Sequence, residues 1–208
     1  MSLPFSQAQF FGVFAAYNGA LWPVQLLFNL AAVFAVLSVL TWPRRSGTIV
    51  SAWLAVIWAW LAIAYHLAFF WAINPAAPLF AAISLAASLL FFWFGVVRRA
   101  IGFRPGMDAR KVAGLLAVAF ALVGYPLISL LLGHTWPAMP VFGLPCPATL
   151  YTFGMLLMAA KPLPRWVLLG PAAWAAIGAM AAFTLGVTQD LVLLAMLPVA
   201  GLLALPRR

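Results

Sequence analysis

The sequence predicts an all-α fold: a bundle of seven transmembrane helices preceded by a short interfacial helix. Three observations carry that expectation. Two thirds of the 208 residues (67%) are hydrophobic and only 6% are charged, with a mean hydropathy of +1.14. That is more apolar surface than a soluble domain of this size can hide, so the expected solvent is lipid. Apolar runs of about 20 residues, enough to cross roughly 30 Å of hydrocarbon, recur seven times. Finally, all eleven Lys and Arg fall between alternate runs or at the C-terminus.

Each element follows from local signals. Phe10, Phe14 and Tyr17 share one helical face with Gln7 and Gln9 nearby, which predicts a short helix lying in the membrane interface. The first span is expected at 22–42, opened by Pro23 at a first-turn position. The next three are expected at 48–72, 78–97 and 112–132. The fifth, 142–160, contains "GLPCPATLYTFG"; Pro145 and Pro147 each lack an N–H and disfavour helix at Leu144 and Cys146. From Ala148 to Ala160 the chain is too short for a full crossing at about 1.5 Å per residue. The fifth crossing therefore includes irregular backbone, tolerated at membrane depth only inside protein or beside a wet cavity. Spans six and seven are expected at 166–185 and 187–205, completing one integral membrane domain over 1–208.

The charges orient this bundle. Arg44 and Arg45 follow span one; Arg98, Arg99, Arg104, Arg110 and Lys111 follow span three. Lys161 and Arg165 follow span five, and Arg207 and Arg208 end the chain. The connections "NPAAP", "GHTWPAMP" and "GVTQD" carry none. This alternation predicts an outside N-terminus and a cytoplasmic C-terminus. It also makes the basic residues topology signals, so nucleic acid is not an expected partner. Asp108, among five basic residues, is expected to pair with them. The N-terminus lacks the charged region and cleavage site of a signal peptide.

On this map the scarce reactive groups gather in the outer half: Cys146, His66, Asp190, His134, Gln25, Asn29 and Thr149. Cys146, the only cysteine, opens a half-length helix, with Thr149 three residues on and on its face. His66 sits about 12 Å down its span. An ionisable group inside a span is a functional candidate by default. Against that, Asp190 could simply complement a helix dipole with Thr188 as cap, His134 could be a loop residue beside Trp136, and Gln25 and Asn29 could be interhelical glue. The ten Trp read as interface anchors.

Three functions fit this set. The first is binding or transport of a small solute or soft metal ion at a pocket open to the periplasmic face, Cys146 and His66 being the metal-ligand candidates. The second is a membrane-embedded hydrolase or transferase using Cys146 as nucleophile with a His base and Asp orienter. The third is a scaffold or assembly subunit without a pocket. No HxxxH, CxxC or HExxH spacing is present, and span seven has no lysine for a retinal Schiff base.

The stretches "YNGALWPVQ", "AYHLAFFWAINPAAPLF", "YPLISLLLGHTWPAMPVFGLPCPATLYTFG" and "LGVTQDL" together resemble a family of bacterial polytopic inner-membrane proteins known only as a domain of unknown function. The resemblance runs from Tyr17 to Leu191, and "GLPCPATLYTFG" is its most specific part. It implies a multi-pass protein of the bacterial inner membrane and brings no catalytic or ligand residues with it.

Overall fold

The structure, a computed structural model, describes residues 3–160 and 162–205; Lys161, Arg207 and Arg208 of the charge pattern lie outside the described residues. Among the described residues the chain forms eight helices and no strand: α1 (Gln7–Leu21), α2 (Val24–Thr41), α3 (Pro43–Ala72), α4 (Ala77–Val97), α5 (Ala109–Leu131), α6 (Pro145–Leu157), α7 (Arg165–Leu185) and α8 (Thr188–Ala204). Five of them (α2 to α5 and α7) are long and apolar enough to cross a membrane; α8 and the 13-residue α6 are shorter.

Local chemistry sets the helix starts. Ser6 caps α1 reciprocally: its Oγ accepts from the Gln9 N–H at 3.2 Å, and its own N–H donates to Gln9 Oε1 at 2.8 Å. Pro43 opens α3 and Pro145 opens α6, at first-turn positions where a missing N–H costs nothing. Leu144 is extended, as a residue before proline must be. Cys146, expected to resist helix, is already helical, because its neighbours' missing donors fall in the first turn, where the N–H groups have no acceptor within the helix.

Asp108 both pairs and caps. It lies 3.5 Å from Arg104 and accepts from the Lys111 N–H at 2.9 Å at the start of α5. The Lys111 N–H, and then Arg104, hold its carboxyl below the usual carboxylate range. A lowered folded pKa means the cap stabilises α5 at neutral pH and loses its effect as pH falls through that lowered value. Protection of the Lys111 amide from hydrogen exchange is therefore expected to drop on acidification, and to be pH-independent in Asp108→Asn.

Three helices widen to π geometry: α3 over Leu61–Phe69, α4 over Phe92–Val97 and α5 over Phe120–Gly124. In α5 the cause is Pro126, which has no N–H and crowds the carbonyl of residue 122. The Tyr125 N–H reaches back to the Phe120 carbonyl instead. In α3 the widened segment carries Tyr65 and His66, so their side chains leave the regular helical register.

Helix α6 lies at the centre. Residues 147–156 are all buried, on every face, the pattern of a helix enclosed by others. With no hydrophobic drive between helices in lipid, close backbone approach and hydrogen bonds hold such a bundle. Gly114 of α5 and Gly154 of α6 meet backbone to backbone. The Trp58 indole of α3 donates to Thr152 Oγ1 at 3.1 Å, the Tyr151 hydroxyl to the Ala32 carbonyl of α2 at 2.9 Å, and Ser88 of α4 to the Ala55 carbonyl of α3 at 2.7 Å.

The eight described basic residues lie at the ends or connections that form one end of the bundle. There the 98–108 connection folds back on α3, with the Ile101 carbonyl against Gly47, and the Gly102 carbonyl accepts from the Ala160 N–H. Helix α1 closes the opposite end, which has no Lys or Arg among the described residues. Its Tyr17 hydroxyl donates to the Gly143 carbonyl at 2.8 Å, and Asn18 Nδ2 donates to the carbonyls of Pro137 and Met139 at 2.7 and 2.9 Å. Gly143 has φ +105°, open to glycine, and this turn delivers the chain into α6.

Candidate functional site

Beneath α1, at the end without described basic residues, lies a cavity of about 340 Å³. Its roof is Phe5, Phe10 and Phe14; its aromatic wall continues through Phe70, Tyr65, Phe80 and Trp174. These rings pack on one another: Tyr65 stacks on Phe70 at 5.5 Å, and Phe80 meets Trp174 edge-on at 5.4 Å. The opposite wall is the 144–147 stretch of α6, and the far side is α7 together with Asp190. Along α7 the lining residues Ala176, Met180 and Thr184 are exposed, as is Leu3 beside them. The cavity therefore opens on the flank of the bundle.

Two of the residues singled out from sequence line this cavity: Cys146, half-buried, and Asp190, 1% exposed. Asp190 does sit in the first turn of α8, but Thr188 does not cap it. The start of α8 has no side-chain cap, and Asp190 Oδ1 accepts from the Tyr125 hydroxyl of α5. Neighbouring bonds fix this join: Gln189 Nε2 donates to Ser129 Oγ at 3.1 Å, and Ser129 Oγ to the Tyr125 carbonyl at 2.9 Å. Among the described residues nothing donates a hydrogen bond to Asp190 Oδ2. Tyr65 lines the same cavity as Cys146 and Asp190. Among the described residues, no Lys, Arg or His lines the cavity.

The other candidates lie elsewhere. His66 is fully buried one layer behind the wall, 4.7 Å from the Trp174 ring and 5.2 Å from Tyr65, and neither of its nitrogens has a hydrogen-bond partner. His134 stacks on Phe11 at 4.1 Å in the loop before α6. Gln25 is buried against Asn18, and Asn29 donates to its own helix at the Gln25 carbonyl, 2.8 Å away. Thr149 is buried with its hydroxyl unpartnered and does not line the cavity.

Two chemistries can be compared with this geometry. A metal centre needs convergent ligands, and among the described residues no three His, Cys, Asp or Glu side chains come together. The Cys146–His66 pair thus finds no third protein ligand. A thiol triad needs an imidazole bonded to Cys146. His66 bonds to nothing and His134 is occupied with Phe11, so no Cys–His–Asp relay is assembled.

The residue that sequence reading passed over is Trp174. Its indole lines the same cavity as Cys146, and its buried N–H has no hydrogen-bond partner among the described residues. Counted among interface anchors, it is nine residues past Arg165, about 13 Å along the helix and too deep for the interface belt. That depth was the available signal. Tyr125 as the partner of Asp190, 65 residues away, left none.

Residues 7–208 match the model of a family described as a family of unknown function (DUF6064). None of the curated proteins compared matches. No solved structure matches.

Proposed function

We propose, for a chain that belongs to the family of unknown function DUF6064, that it is a seven-span protein of the bacterial inner membrane that binds a small, mostly apolar solute drawn from the outer half of the bilayer. Helices α2 to α8 supply the spans, with α6 completed by the chain before it and α1 resting over the outer mouth. The observation that carries the reading is the 340 Å³ cavity whose exposed rim, Ala176, Met180 and Thr184, faces sideways along α7. A largely apolar pocket with a few polar groups is the usual form of a small-molecule site, and a lateral mouth suits a solute dissolved in lipid. Cys146 and Asp190 are the polar contacts, and His66 backs the aromatic wall. A scaffold subunit would need no such cavity.

Because Cys146 is the only cysteine, its alkylation reports on occupancy without engineering. In phosphatidylcholine nanodiscs, N-ethylmaleimide is expected to alkylate Cys146 several-fold more slowly when tert-butylbenzene fills the cavity. Ala181→Trp, which fills the cavity from α7, is expected to slow alkylation alone and to abolish further protection. Equal alkylation rates with and without the probe in the wild type would remove the proposal.

A further inference from the structure

We infer that the solute is an organic cation: an ammonium or similar positive group carried on an apolar body. The inference deepens the reading of the cavity as a solute site and rests on it. Two features of the wall point to this class. Among the described residues Asp190 is the only charged one lining the cavity, and the one hydrogen bond to its carboxylate comes from the Tyr125 hydroxyl on Oδ1. Oδ2 accepts no hydrogen bond from the described residues, and no Lys, Arg or His among them lines the walls to answer it. A carboxylate set in apolar surroundings requires either a proton or a cation beside it.

The second feature is the aromatic wall of the same cavity. Tyr65 stacks on Phe70, Phe70 on Phe80, and Phe80 meets Trp174 edge-on, and all four line the cavity with Asp190. Ring faces attract positive charge, most strongly where water is excluded, and groups of aromatic side chains are the recurrent receptor for quaternary ammonium. An alkali or divalent ion would need several oxygen ligands, which this wall does not offer. An anion would meet Asp190 with no basic residue to offset it. A cation with an apolar body satisfies the carboxylate, the rings and the lateral mouth at once. Tyr125 positions the carboxylate, and Asp190 carries the discrimination.

The test uses two molecules of one shape: phenyltrimethylammonium and its neutral counterpart tert-butylbenzene. Each is titrated against Cys146 alkylation of the full chain in phosphatidylcholine nanodiscs, at matched concentrations in the membrane phase. The wild type is expected to prefer the cation about tenfold or more. Asp190→Asn, which keeps the acceptor for Tyr125, is expected to erase that preference while leaving protection by tert-butylbenzene unchanged. Equal protection by both molecules in the wild type overturns the cation inference and leaves the cavity reading standing. A preference that survives in Asp190→Asn overturns the role of Asp190. Protection by neither removes the cavity reading and this inference with it. Should Asp190→Asn fail to fold, the wild-type comparison decides, with Phe80→Leu as the second variant, expected to weaken the cation several-fold and the neutral molecule little.

Discussion

Gly154→Leu is expected to destroy the folded protein, the largest stability effect of any single substitution argued from this structure. A Cβ on Gly154 would lie 2.8 Å from the Gly114 carbonyl oxygen, 2.8 Å from Val118 Cγ2 and 3.0 Å from the Val118 nitrogen. The reciprocal Cβ on Gly114 would lie 2.5 Å from the Gly154 carbonyl oxygen and 2.6 Å from Met158 Cγ. Two of the three atoms around Gly154 belong to the backbone and cannot rotate away, so α5 and α6 would have to separate. Helix α6 is enclosed on all sides and also bonds to α2 and α3; separation therefore disturbs three interfaces, not one. Overpacking of this kind costs about 3 kcal/mol, and in lipid no hydrophobic drive between helices compensates for the lost approach. The measurement is the temperature at which the detergent-solubilised protein leaves the monodisperse peak in size-exclusion chromatography. Gly154→Leu is expected to leave little such peak at any temperature, and Gly154→Ala to lower the midpoint clearly. Gly12→Ala, on the open face of α1 with nothing within 4 Å, is expected to match or slightly exceed the wild type, since Ala favours helix by about 1 kcal/mol over Gly. A Gly154→Leu protein as stable as Gly12→Ala would show that α5 and α6 do not cross here.

The helices were legible because two physical requirements write themselves locally. Apolar length and flanking Pro or Arg place 22–42 against Val24–Thr41, 78–97 against Ala77–Val97 and 166–185 against Arg165–Leu185. The half-length sixth helix was legible for the same reason, since Pro145 and Pro147 are local signals. What surrounds it was not. Nothing in "ATLYTFGML" distinguishes a helix enclosed by protein from one facing lipid, since both are apolar all round. The site was half legible. Cys146 and Asp190 could be placed on one side of the membrane by counting spans, and the structure brings both to one cavity. His66 is buried but does not line the cavity, and the π segment over Leu61–Phe69 that carries it departs from the register a regular helix would give. His134, Gln25, Asn29 and Thr149 each meet a neighbour or a buried position that depth alone cannot foretell. The Tyr125–Asp190 bond joins α5 to α8 across the bundle. Such contacts are decided by which helices become neighbours, and no periodicity encodes that.

In a Cys146→Ser background, Thr135→Cys is expected to react with a charged, membrane-impermeant maleimide added to intact cells, and Met107→Cys is not. The two positions are exposed and lie in connections at opposite ends of the bundle: Thr135 between α5 and α6, Met107 between α4 and α5. Inside-out vesicles should reverse the pattern, with a contrast of about tenfold or more in each direction. The physical basis is the retention of Lys and Arg near the cytoplasmic leaflet during insertion. Arg44, Arg45, Arg98, Arg99, Arg104, Arg110, Lys111 and Arg165 all belong to the Met107 end. Each would cost about 1 kcal/mol of attraction to the anionic cytoplasmic surface if placed outside, so eight together leave no balance between orientations. The same placement fixes what the cavity can meet. With Thr135 outside, Asp190 and its aromatic wall face the outer leaflet, far from the basic end that would otherwise repel a cation. With Thr135 inside, the cavity would draw on the cytoplasmic leaflet, and the proposed source of its solute would be wrong even if the binding chemistry held. Labelling of Met107→Cys from outside intact cells is the result that would establish this.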